Sequence, residues 1–144
     1  MGTISKNFSY SEFQESETAK ARGITNVITT FEVRDAVKAL VLEVLQPLRD
    51  AWKRPLHVNS GYRCPKLNKA VGGVPTSQHT KGEAADIRCG SPLKLAQLAH
   101  DLGLPYDQMI LYPTFVHFSH KLSGEQRHRI LYNYRYKGPK VTEK

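Results

Sequence analysis

The stretch Ser77-Gln78-His79-Thr80-Lys81-Gly82-Glu83-Ala84-Ala85-Asp86 decides how this chain is read, together with the later Val116-His117-Phe118-Ser119, whose histidine lies thirty-one residues beyond Asp86. A histidine, a carboxylate seven residues on and a distant second histidine form a three-ligand set of the kind zinc takes. Structural zinc sites fill all four positions with protein atoms, whereas a set of three leaves one for water and points to hydrolysis. Gly82 permits a tight turn between the first two candidates, and Ala84 leaves room near a cation. Ser77 is placed to fix the loop or to hydrogen-bond a ligand. Spacing alone fits equally well an exposed loop histidine, a turn-capping aspartate and a packed strand histidine, because H-x6-D is no general zinc signature.

Working outward, Ala84 to Arg88 reads as a buried strand carrying Asp86. Gln108 to Tyr112 and Phe115 to Ser119 read as two strands joined through Pro113-Thr114, the second delivering His117. Leu56 to Ser60 alternates and is β-branched, so Gly61-Tyr62-Arg63 falls at a strand end, where side chains enter a cleft. Arg129 to Tyr136 adds a further strand. Before these lie a short helix within Asn7 to Ala19, begun near Ser9 or Ser11 and terminated by Gly23, and a loop from Gly23 to Thr30. A long helix then starts at Thr29 with capping-box spacing to Glu32 and carries Val33, Val37, Leu40, Val44 and Leu48 on one face. Pro47 kinks it or sets off a last turn. Cys64-Pro65 ends the first strand ahead of a helical turn over Lys66 to Ala70. Ser91-Pro92 opens another helix, which Gly103 closes. Helices followed by short strands, with no repeating βα unit, make the class α+β.

The 144 residues fit a single domain over 1–144, with 137–144 as a flexible tail. The hydrophobic share of 40% and charged share of 24% are those of an ordinary globular protein, and no apolar run reaches membrane-spanning length. Met1 to Phe8 lacks the apolar segment of a secretory signal, and Met1-Gly2 is only a weak myristoylation cue. Cys64 and Cys89 read as free thiols. The net charge of +8 is concentrated toward the end, with seven Lys or Arg against two acidic residues from Phe118 to Lys144. That surface suits a polyanion, yet no nucleic-acid motif accompanies it.

Ser60-Gly61-Tyr62-Arg63, Asn68, Gly72-Gly73, Ser77-Gln78-His79, Gly82, Ala84-Ala85-Asp86-Ile87, Asp107-Gln108 and Val116-His117 together resemble the D-alanyl-D-alanine carboxypeptidase family of zinc peptidases, peptidase family M15. The similarity is strongest to its small phage-lysin-like branch. It runs in order from Phe8 through Ser119, and S-x-H-x-x-G-x-A-x-D is its most specific element. The resemblance implies that His79, Asp86 and His117 bind Zn2+. It also implies that Arg63 assists the substrate carbonyl or its oxyanion, and that the partners are peptidoglycan stem peptides. The implied fold is a small α+β domain with a central antiparallel sheet beneath the metal and flanking helices, Hedgehog/DD-peptidase-like.

Relatives place Glu or Asp three residues before the last histidine ligand, or His two residues before it. Thr114 and Phe115 stand there in this chain. Asp107 is then the internal substitute as catalytic acid or base, with support of the site or a turn cap as its competing role. His120 alternates away from His117. Tyr62, Ser77, Gln78 and Tyr112 join Arg63 as candidate substrate contacts; packing or loop-fixing is the alternative for each.

The expected activity is zinc-dependent hydrolysis of a peptide bond in peptidoglycan stem peptides, as a D,D-carboxypeptidase or a lysin-type endopeptidase. The expected protein is a monomer, made in the cytoplasm and acting at the wall after release, with neither membrane insertion nor nucleic-acid binding. One alternative is a catalytically inactive, zinc-containing protein that binds cell-wall peptides. The other is an interaction protein whose basic end recruits a polyanion.

Overall fold

Alternation along short strands produces the surface on which everything else is mounted. In the computed structural model, which describes residues 2–143, five strands form one sheet: β3 (His57–Ser60), β4 (Ala84–Arg88), β5 (Gln108–Leu111), β6 (Phe115–Ser119) and β7 (Arg129–Tyr132), in the order β3-β4-β6-β5-β7. Neighbours are antiparallel except β5 and β7, which run parallel, so the sheet is mixed at one edge. The α+β class read from the sequence holds, and the antiparallel expectation needs correction only at β7. A two-stranded ribbon of β1 (Thr3–Ser5) and β2 (Phe8–Ser9), unforeseen in the sequence, precedes the helices.

The register places Val58, Ile87, Val116, Leu111 and Tyr132 in one row across the sheet, with Ala85, Phe118, Met109 and Ile130 beside it. Ala85, Ile87, Met109, Leu111, Val116 and Phe118 are wholly buried. Their neighbours along each strand necessarily face the other way. A slip of one residue would send the apolar set into water, so burial of this face fixes the register of the other.

The longer helices cover the apolar face. α3 (Phe31–Leu40) passes through one π turn (Val41–Leu45) into α4 (Gln46–Trp52), and Val37, Leu40, Val41, Val44, Leu45 and Leu48 are fully enclosed. The widened turn falls where Pro47 would otherwise clash with the preceding turn of a regular helix. The cap is Thr30 rather than Thr29: its hydroxyl accepts the Val33 N–H at 3.2 Å. The expected N-terminal helix is two short ones, α1 (Tyr10–Gln14) and α2 (Glu17–Arg22), because Ser16 caps the second and interrupts the first. α5 (Pro65–Ala70) and α6 (Pro92–Asp101) sit close to their expected positions.

The segment after β7 includes residues 137–144, read from the sequence as a flexible tail, and part of it packs on the domain. Val141 is buried, its N–H donates to Tyr132 Oη at 2.8 Å, and Thr142 exchanges two hydrogen bonds with Gln97 on α6. Met1 of the Met1-Gly2 pair, and Lys144 at the end of the expected tail, lie outside the described residues. Among the described residues no helix is long and apolar enough to cross a membrane.

Candidate metal centre

The open face of the sheet carries a second transverse row, Ser60, Asp86, His117, Ile110 and Leu131, set by the same register. Two of the three candidate ligands are therefore cross-strand partners. The third, His79, comes from a 3-10 turn (Gln78–Lys81) that leads into β4. Ser77 caps this turn by accepting the His79 N–H at 3.2 Å. Gly82 ends it at φ +75°, where a Cβ would lie 2.7 Å from the Val33 carbonyl oxygen on α3. Both the backbone angle and the lack of space call for glycine there.

The ligating atoms of His79, Asp86 and His117 lie within 4.8 Å of one another. Asp86 Oδ1 is 2.8 Å from His117 Nδ1 and 3.4 Å from His79 Nε2. The opposite nitrogen of His79 is 2.7 Å from the Gly61 carbonyl oxygen. A carbonyl only accepts, so His79 Nδ1 is the donor in this bond, and in the neutral ring the Nε2 lone pair then faces Asp86. Two acceptors face one another comfortably only around a cation or a shared proton. Orientation of the metal-binding nitrogen by a carbonyl on the far nitrogen is also how zinc histidines are usually held. The donor set of two imidazoles and one carboxylate therefore fits zinc.

Side-chain exposure is 18% at Arg63, 13% at Asp86 and His117, and 4% at His79, so the ligands are recessed yet reachable from the open face. Burial by itself pushes the Asp86 carboxyl up. When the two rings are protonated, hydrogen bonds and charge from His117 and His79 outweigh it and hold the group well below the usual carboxylate range. Arg63 Nη2 is 3.9 Å from Asp86 Oδ2. Its Nε donates to Ser60 Oγ at 3.3 Å and its Nη1 to Asn68 Oδ1 at 3.2 Å. Asn26 clasps the backbone around it, donating to the Tyr62 carbonyl and accepting the Cys64 N–H, at 2.9 and 2.8 Å. Burial lowers the Arg63 pKa, against the pull of the Asp86 charge.

The remaining candidates divide between cleft and scaffold. Burial, then the Asp86 charge, pushes the Tyr112 phenol up while Arg63 opposes this, which puts Tyr112 in the field of the site; its ring stacks on Phe115 with centroids 4.3 Å apart. Tyr62 instead packs into the hydrophobic core. Ser77 fixes the turn, and Gln78 donates its amide to Asp107 at 3.2 Å and Glu83 at 3.4 Å. Asp107 has no exposure at all and is gripped by Arg127, whose backbone N–H and guanidinium donate to both carboxylate oxygens at 2.7–3.2 Å. Burial raises its pKa, but these bonds prevail and hold it at about 2. Arg127 and Asn26 had no signal in the sequence, since each acts across twenty or more residues without a motif. Asn68 belonged to the family pattern, but its grip on Arg63 needed the fold.

A mixed sheet on whose open face two histidines and an aspartate converge, beside a fixed arginine, defines a zinc metallopeptidase domain. The chain belongs to the peptidase M15 family, whose model matches residues 6–120. It is similar to the zinc D-Ala-D-Ala carboxypeptidase of Streptomyces albus G, 32% identical over 125 residues, which cover 84% of this chain and 47% of that protein. The chain thus spans about half the length of the curated relative it matches.

Proposed function

We propose that this domain hydrolyses a peptide bond in the stem peptides of bacterial peptidoglycan, acting as a lysin-type endopeptidase or a D,D-carboxypeptidase. The observation that carries the reading is the convergence of His79, Asp86 and His117 on the open face of the sheet, with Arg63 fixed alongside. The substrate class comes from the family and from the name of the Streptomyces relative.

The chemistry an ion supplies at such a set is Lewis acidity and a lowered pKa for water. The chain's own residues add orientation. Arg63 is anchored on Ser60 and Asn68, so its guanidinium reaches the cleft without reorganising when negative charge grows on the carbonyl oxygen. Tyr112 and Phe115 offer an aromatic wall for the peptide beside His117. Asp107 serves as a positioning residue in this reading. Held at about 2 and enclosed by Arg127, it is a poor proton acceptor, but through Gln78 it steadies the turn that presents His79.

Thr114 and Phe115, at the positions where relatives carry an acid or base, favour a second reading: a zinc-containing protein that binds wall peptides without cutting them. Zinc-loaded protein incubated with purified peptidoglycan and with defined D-alanyl and L-alanyl-D-glutamyl peptides separates the two. Mass spectrometry should find one new peptide end, absent after chelation and in His79→Ala. Peptide binding with no product at full zinc occupancy would establish the second reading instead.

A further inference from the structure

The chain beyond the family-matched residues 6–120 contributes β7 and the turn that follows it, and both border the metal-bearing face. β7 lies parallel to β5 with Leu131 beside Ile110, and the Asn133 N–H donates to the Leu111 carbonyl at 2.9 Å. The turn Asn133-Tyr134-Arg135-Tyr136 is therefore held at the end of β5, next to the β5–β6 connection. It is internally braced. The Tyr136 N–H donates to the Asn133 carbonyl at 2.9 Å, the Arg135 N–H donates to Asn133 Oδ1 at 3.0 Å, and the Tyr136 ring stacks on Tyr132 at 5.7 Å.

Between this turn and the connection runs a groove of about 410 Å³, with Tyr112 and Phe115 on one wall and Tyr134 and Arg135 on the other. Phe115 lies two residues before His117 on β6, so this wall of the groove shares the sheet face that carries the metal row. Tyr134 is 74% exposed, an unusual state for a tyrosine with so large an apolar ring. Arg135 lies over that ring, 5.4 Å from its centroid, and gives its Nε–H to Tyr134 Oη at 3.0 Å. That contact orients the guanidinium and leaves both Nη groups free. Among the described residues Arg135 forms no ion pair.

We propose that this groove is a subsite for a carboxylate carried by the peptide substrate, received on the Nη edge of Arg135 while the peptide lies along Tyr112, Phe115 and Tyr134. The two free Nη groups match the two oxygens of a carboxylate, and the aromatic walls supply contact area at little entropic cost. The assignment rests on the peptidase reading for its substrate class, while the subsite itself is tested separately.

The test uses two synthetic stem peptides identical except that the acidic residue carries a free α-carboxylate in one and a carboxamide in the other. Zinc-loaded parent protein, Arg135→Gln and Arg135→Lys are compared by steady-state cleavage. The parent should show a KM for the acid form about fivefold below that for the amide, the size expected of an exposed charge pair. Arg135→Gln should erase the difference by raising KM for the acid form alone, with kcat unchanged, and Arg135→Lys should retain part of it. Equal KM values in the parent, or equal losses for both peptides in Arg135→Gln, would overturn the proposal. If neither peptide is cut, the peptidase reading fails. Calorimetric binding of the same uncut peptides then decides the subsite on the same ratio.

Discussion

Asp86 and Asp107 are the two buried carboxylates among the described residues, and they sit in opposite circumstances. Asp86 faces imidazoles, which are neutral once deprotonated and can exchange a proton for a cation, and it lies on the open side of the sheet. Asp107 faces a guanidinium that never loses its charge, and it has no exposure. Both are held below the ordinary carboxylate range, yet only one has partners that can yield to a metal ion. Burial and a shifted pKa do not make a reactive carboxylate. The exchangeability of its partners does.

That contrast can be broken or sharpened by substitution. The largest effect belongs to the ligand row: Asp86→Ala or His79→Ala should abolish stoichiometric zinc binding in an equilibrium titration and, with it, peptide cleavage. Arg63→Ala should come next, lowering kcat by about a hundredfold or more while zinc affinity stays close to that of the parent. Asp107→Asn should lose about 2 kcal/mol of stability in urea, because Arg127 is left without its partner, and about tenfold in zinc affinity, yet still cleave once saturated. A collapse of kcat at full zinc occupancy would instead make Asp107 the proton acceptor and erase the distinction drawn above. Gln78→Ala should be mildest, near 1 kcal/mol, with a smaller loss of zinc affinity in the same direction.

The pH dependence follows from the lowered pKa of Asp107. A carboxyl held at about 2 when folded, against about 3.9 when unfolded, stabilises the fold above that upper value and loses its effect as pH falls toward the lower one. Urea midpoints of parent and Asp107→Asn should therefore differ most above about pH 5 and draw together as the solution is acidified. A gap that stays constant down to pH 2 would contradict the ion-pair account.

The ligand row was legible only with its surroundings: the spacing of His79, Asp86 and His117 alone fits other roles equally well, and the resemblance carried by S-x-H-x-x-G-x-A-x-D decided between them. The long helix was legible from periodicity, through the spacing of Val37, Leu40, Val44 and Leu48. The clasp on Asp107 was not, since Arg127 joins it from a loop twenty residues away with nothing periodic to mark it. Gln78 was open to two roles in the sequence, a substrate contact or an amide that fixes the loop. A residue next to a ligand in a tight turn points elsewhere, and here it points inward to Asp107 and Glu83. The parallel placement of β7 was equally hidden, because Arg129 to Tyr132 carries the same apolar content whichever way it runs.

The most direct test of the central claim is the environment of zinc in the loaded protein, read by X-ray absorption at the zinc edge and by a crystal structure of the same sample. One ion should be found, with two imidazole nitrogens and one carboxylate oxygen at about 2.0–2.2 Å and a remaining position open to solvent. An ion bound away from His79, Asp86 and His117, or closed off by a fourth protein ligand, would contradict the account.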